Sequence, residues 1–201
     1  MTEPYAGDDL GVMLDRLWAL LDNGSRDRHA ALHLPTVATV IDGAPSARVM
    51  VLRAVERKSR RLTFHSDRRA EKIAGLAADA RLTVVGYDAG ARLQLRLGGS
   101  AVVRSGAAVS ARWAAMDGFG RRAYRTVLPP GSPLDSPGTG LPPQFEQSRR
   151  DEAPGEAGAE NFAVLEVTLD RLEWLLLAHD GHRRAVFKYR SPGWAGQWLV
   201  P

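Results

Sequence analysis

From His33 onward, short runs rich in β-branched and apolar residues alternate with turn signals, and this pattern constrains the fold more than any other feature of the chain. Val37, Val40 and Ile41 lead into Asp42-Gly43, the dipeptide of a tight hairpin, which predicts a returning strand over Ala47–Val55. A third strand is expected over Arg60–Ser66. Asp67 then stands in a capping position before a helix over roughly 68–78. Strands over Arg81–Tyr87 and Arg92–Val103 flank the turn Asp88-Ala89-Gly90, and four more are expected over Asn161–Thr168, Leu172–Ala178, Arg184–Tyr189 and Trp194–Val200. Many strands of similar length with few helices predict a mainly β protein, an antiparallel barrel with flanking helices.

Two segments depart from the strand pattern before the last four strands. Leu10, Leu14, Leu17, Trp18 and Leu21 fall on one face of a helix expected over 8–26, with Asp8 and Asp9 placed to complement its positive start. Residues 109–128 read as helical, with Trp113 and Met116 three apart, whereas 129–158 is loaded with Pro, Gly and Ser and reads as a long loop or mobile lid.

At 201 residues and 44% hydrophobic content there is material for one substantial core, so a single domain over 1–201 is expected. The absence of cysteine excludes disulfides, thiolate metal sites and a cysteine nucleophile, which leaves redox chemistry to a cofactor. The opening MTEPYAGDD lacks the basic and apolar segments of a leader, and no run has the length of a membrane span, so a cytoplasmic protein is expected. The net charge of +4 is dispersed rather than gathered in tracts, which favours a small anionic ligand over nucleic acid.

Four constellations bear on chemistry. Arg48-Val49-Met50-Val51-Leu52-Arg53 is an apolar strand with a guanidinium at each end, and such a group needs an anion or acceptor when half buried. His65-Ser66-Asp67 is followed by Lys72, one of three lysines, near a helix start: a chemically sensible phosphate cradle, or equally a capped surface helix. Arg92, Gln94 and Arg96 share one strand face, where Gln94 can both donate and accept, although plain solvent exposure gives the same alternation. Trp174, His182 and Arg184 on consecutive strands could gather around a planar anion, the alternative being a core tryptophan with surface polar residues. His179 and His182 have no converging partners, so no metal site is expected.

Together the order and intervals of these motifs resemble the pyridoxamine 5'-phosphate oxidase family over roughly 35–105 and 161–201. The resemblance implies an FMN-binding split β-barrel working as a homodimer. It implies that Arg48, Ser66 and Lys72 hold the FMN phosphate, with Val49, Met50, Val51, Arg53 and His65 alongside. Gln94, Trp174 and Arg184 would frame the ring, the last group usually coming from the second subunit, and His182 with Arg184 would serve catalysis.

The departures fall mainly on the substrate side. Arg53 stands for a lysine that touches substrate phosphate in the family, Glu71 for a cofactor-binding arginine, and Asp180 for the arginine of an Arg-Leu-His motif. The resemblance therefore implies an FMN-dependent oxidoreductase acting on a small molecule, phosphorylated in the true oxidases, whose anion would fall to Arg53 and arginines of 112–125. The alternatives are a flavin reductase using NAD(P)H, or a non-catalytic FMN- or haem-binding protein. Neither nucleic acid nor membrane is implied as a partner.

Overall fold

A computed structural model describes residues 9–146 and 155–201. Helix α1, Leu10–Arg26, begins at Asp9, whose carboxylate accepts from the Val12 amide at 2.9 Å. Its buried face carries Met13, Leu17, Trp18 and Leu21, close to the stripe the spacing predicts, while Asp8 lies outside the described residues. The first hairpin pairs β1, Thr36–Ile41, with β2, Ala44–Val49. Asp42 and Gly43 turn it with φ of 50° and 78°, the doubly left-handed turn for which Asp-Gly is suited.

The strand expected over Ala47–Val55 divides. β2 stays with β1, the chain breaks at Met50 and Val51, and β3, Leu52–Glu56, crosses to pair with β4, Arg61–Asp67. After helix α2, Glu71–Ala78, come β5, Arg81–Asp88, and β6, Leu93–Ser105. The long helix expected over 109–128 is a 3-10 turn at Gly106–Val109 followed by α3, Ser110–Ala114, and α4, Gly118–Arg122. Asp117 interrupts it, because its side chain caps the Gly120 amide at 2.6 Å and starts a new turn.

The two strands expected over 161–178 are one, β7, Phe162–Leu176, followed by β8, Arg183–Arg190, and β9, Gly193–Leu199. The strand order is β2-β1-β5-β6-β7-β4-β3, with β8 added to β7 and β9 to β8. β7 lies along β6 throughout, but its first half takes β4 on the other side and its second half takes β8. This change of partner splits the barrel, and the register shifts between Gly98 and Gly99 near the changeover. Leu62, Phe64, Leu95, Leu97, Leu165 and Phe187 fill the interior. A smaller core forms outside it, where Val109, Trp113 and Tyr124 cover Phe162 and Val164. Among the described residues no helix is long and apolar enough to cross a membrane.

Candidate functional site

The small outer core places the site. Phe162 is its hub, in edge contact with Tyr124 at 5.0 Å and with the His65 ring at 4.9 Å, so the 106–125 segment stands over the end of β4. Two cavities flank it and share His65 as a wall. The larger, about 540 Å³, runs between Ser66, Asp67 and Lys72 on one side and Tyr124, Thr126, Leu128–Ser132, Leu134, Thr139 and Gly140 on the other. The smaller, about 380 Å³, is lined by Arg53, Arg112, Met116, Asp117 and Gly120.

Lys72 lines the larger cavity, and Arg48 stands beside it on the barrel rim. Arg48 is anchored on the barrel rim, donating to Thr39 Oγ1 at 2.8 Å, Ser46 Oγ at 2.7 Å and the Val37 carbonyl at 3.3 Å. Lys72 lies close enough that burial and then repulsion from Arg48 hold its pKa below the usual lysine value, while Asp67 acts in the opposite sense. Burial likewise depresses Arg48, and Glu71, which is exposed, partly restores it. Neither cation makes a carboxylate ion pair among the described residues. Two half-buried cations without such a partner suit an anionic ligand, and this is the test that an FMN phosphate passes here.

His65 is pushed down to about 4 by burial and by the positive charges of Arg53 and Arg112, so it is neutral near pH 7. Its Nδ1 is buried without a partner among the described residues. The neighbouring Tyr124 hydroxyl is raised by burial to about 12 and keeps its proton.

Asp67 does not cap α2, as its position in the sequence suggests. The cap is Ala70 with no side-chain bond, and the helix starts at Glu71. The buried Asp67 carboxylate instead holds Arg69, with Nη2 to Oδ2 at 2.7 Å and Nε to Oδ1 at 3.0 Å.

The structure thus brings together Arg48, His65, Ser66 and Lys72, with Arg53 next door. Gln94, Trp174, His182 and Arg184 do not join them within one chain. Ser66 pairs with Ala163 at the start of β7, while Gln94 and Arg184 both pair with Leu175 near its end, which at the usual strand rise is roughly 35–40 Å away. His182 is exposed in the connection before β8.

Trp174 calls for a correction. Its side chain is 0% exposed and packs edge-on to Trp198 at 5.8 Å, so it is a core residue and offers no face to a ligand of its own chain. Met50 also turns into the core, Val49 is exposed on β2, and Val51 sits in the break between strands; none of the three lines either cavity.

Arg184 is held by Glu173, with Nε to Oε1 at 3.0 Å, and the same carboxylate takes Arg96 and Arg171, each at 2.7 Å. Burial raises the Glu173 pKa, but the three arginine hydrogen bonds outweigh it and bring it to about 2. Of the arginines in 112–125, Arg112 alone lines either of these two cavities. Arg121 donates to the carbonyls of Met116, Gly155 and Ala114, and Arg125 donates to Ala157 O and stacks on Phe145.

Tyr124, Thr126 and the wall from Leu128 to Leu134 join the site only through tertiary contact; the Pro/Gly-rich composition predicts a long loop or lid but not which side of the barrel it covers.

Residues 16–105 match the family model described as pyridoxamine 5'-phosphate oxidase, FMN-binding domain. No curated protein matches the chain. Among solved structures, a pyridoxamine 5'-phosphate oxidase-related, FMN-binding protein of Nostoc punctiforme PCC 73102 superposes with a TM-score of 0.72 at 21% identity, over 93% of this chain and 96% of that one. PhzG from Burkholderia lata 383, solved in complex with tetrahydrophenazine-1-carboxylic acid, gives 0.71 at 15% identity, over 100% and 98%. At these identities the likeness establishes the shared fold. Residues 16–105 are thus similar in sequence to the pyridoxamine 5'-phosphate oxidase FMN-binding domain, and the chain as a whole has the split-barrel fold of these FMN-binding proteins.

Proposed function

We propose that this protein is an FMN-dependent oxidoreductase working as a homodimer, with the FMN phosphate held by Arg48, Ser66 and Lys72. One observation carries the reading: Lys72, half buried in the lining of a 540 Å³ cavity, lies close enough to Arg48 on the adjoining barrel rim to feel its charge, and neither makes a carboxylate ion pair among the described residues. A dianionic phosphate supplies the charge that this pair lacks, and the Ser66 hydroxyl and nearby backbone supply hydrogen bonds to it.

When bound, FMN supplies the two-electron chemistry that no side chain of this cysteine-free protein can provide. The chain's own residues bind and orient. His65, neutral near pH 7, walls both cavities without bringing charge to either. Arg53 and Arg112 give the smaller cavity a positive wall for an anionic group of the substrate. Gln94 and Arg184 reach the ring from the second copy, since their distance from Ser66 within one chain is too great for both to touch one ligand.

Titration with FMN, followed by flavin fluorescence, tests the reading. Lys72→Ala or Arg48→Ala is expected to weaken binding by about 1.5–3 kcal/mol, the scale of a hydrogen bond to a charged group, which is roughly 10- to 150-fold in Kd. Undiminished affinity in both variants overturns the placement. Bleaching of the bound flavin by pyridoxamine 5'-phosphate without oxygen identifies the literal oxidase; no bleaching directs attention to other reductants.

A further inference from the structure

The wall of the larger cavity is a loop whose own hydrogen bonds do little to fix its position. Its ends meet where the Val127 amide donates to the Gly140 carbonyl at 2.8 Å. Between them Leu128, Pro129, Pro130 and Leu134 present an apolar surface opposite Ser66 and Lys72. A loop of this length without helix or strand moves freely unless its neck is tied.

Among the described residues, the tie between this neck and the barrel rim runs through Arg69. Arg69 grips both oxygens of the buried Asp67 at the end of β4. It also donates to the Thr126 carbonyl at 3.0 Å through Nη1 and to Thr126 Oγ1 at 2.9 Å through Nη2. The Thr126 hydroxyl passes the connection on, donating to the Leu128 carbonyl at 3.0 Å. The strand end that carries Ser66 is therefore bolted to the neck of the loop facing it. A guanidinium can do this because its planar fork donates in several directions at once, which a lysine ammonium cannot reproduce.

We propose that Arg69 is a positioning residue that fastens the Val127–Gly140 loop to the barrel rim and thereby retains the ligand of the larger cavity, one that joins an anionic end to an apolar body. The inference rests on the reading of that cavity as the FMN site.

The test uses FMN-loaded protein and two variants. Arg69→Lys removes the fork. Thr126→Val, the milder change, keeps the Asp67–Arg69 pair and removes only the hydroxyl. Amide hydrogen exchange over 127–140 and the FMN dissociation rate are measured for each. In Arg69→Lys both are expected to rise about tenfold, the scale of losing one or two hydrogen bonds, with a smaller rise in Thr126→Val and association rates changing less than dissociation.

Unchanged exchange in both variants overturns the latch, and so does faster exchange with unaltered FMN release. Lys72→Ala separates the two readings. If it frees FMN and Arg69→Lys does not, the latch alone is wrong; if neither does, the cofactor site itself is misplaced.

Discussion

His65 shows how a single side chain reports its surroundings. Its pKa lies near 4 in the folded protein against 6.5 for a free imidazole, so between those values the unfolded chain binds a proton that the folded one refuses. Stability is therefore complete above about pH 6.5 and declines as pH falls toward 4. A fully enclosed group shifted this far would cost about 3 kcal/mol; His65 borders two open cavities, and solvent screening reduces the expectation to about 1–2 kcal/mol. Urea unfolding at pH 7 and pH 4.5 checks this: the loss should be smaller in His65→Gln, and an equal loss would assign it to other groups. The same residue illustrates what sequence shows and what it hides. Its place beside Ser66 in a phosphate-cradle motif was legible, but its charge state was not, because Arg53 and Arg112 reach it from β3 and from the segment over β4.

At the scale of elements, the pairing of β6 with β7 leaves no room for a side chain at Gly99. A Cβ on Gly99 would come within 2.3 Å of the Thr168 carbonyl and 3.0 Å of Leu169 Cα, both backbone atoms that cannot swing aside. Gly99→Ala is expected to destabilise the protein by at least about 2 kcal/mol in urea denaturation, whereas Gly98→Ala, whose nearest neighbour is the Arg171 Cβ at 3.4 Å, should cost under about 1 kcal/mol. Equal effects would show that the register shift tolerates a side chain. Most elements were legible because each is announced locally: the Leu17/Trp18/Leu21 face of α1, the Asp42-Gly43 turn, the alternation in β6. The breaks escape a local reading for the opposite reason. Nothing in Arg48–Val55 says that β2 and β3 take different partners, and nothing in 161–178 says that β7 runs through unbroken, since a change of neighbour leaves alternation along the strand intact.

For the molecule as a whole, the wide separation of Gln94 and Arg184 from the Ser66–Lys72 cradle makes a sharp prediction about assembly. If one FMN is framed by two copies, neither Lys72→Ala nor Arg184→Ala binds it well alone, but unfolding and refolding the two together gives hybrid dimers with one intact site each. About a quarter of the wild-type sites should return, read by flavin fluorescence; no recovery above the separate variants would place all the groups in a single chain or exclude some of them. The sequence by itself determined the strands, the hairpin, the docking helix and the residue types of an anion cradle, because these depend on periodicity and on side-chain chemistry within a few positions. Only the tertiary structure decided that Trp174 is core, that Asp67 anchors Arg69 instead of capping α2, and that the Pro/Gly-rich loop walls the cavity. These outcomes depend on which distant segments meet across the barrel, and the free energy of such meetings is not written in any one stretch of chain.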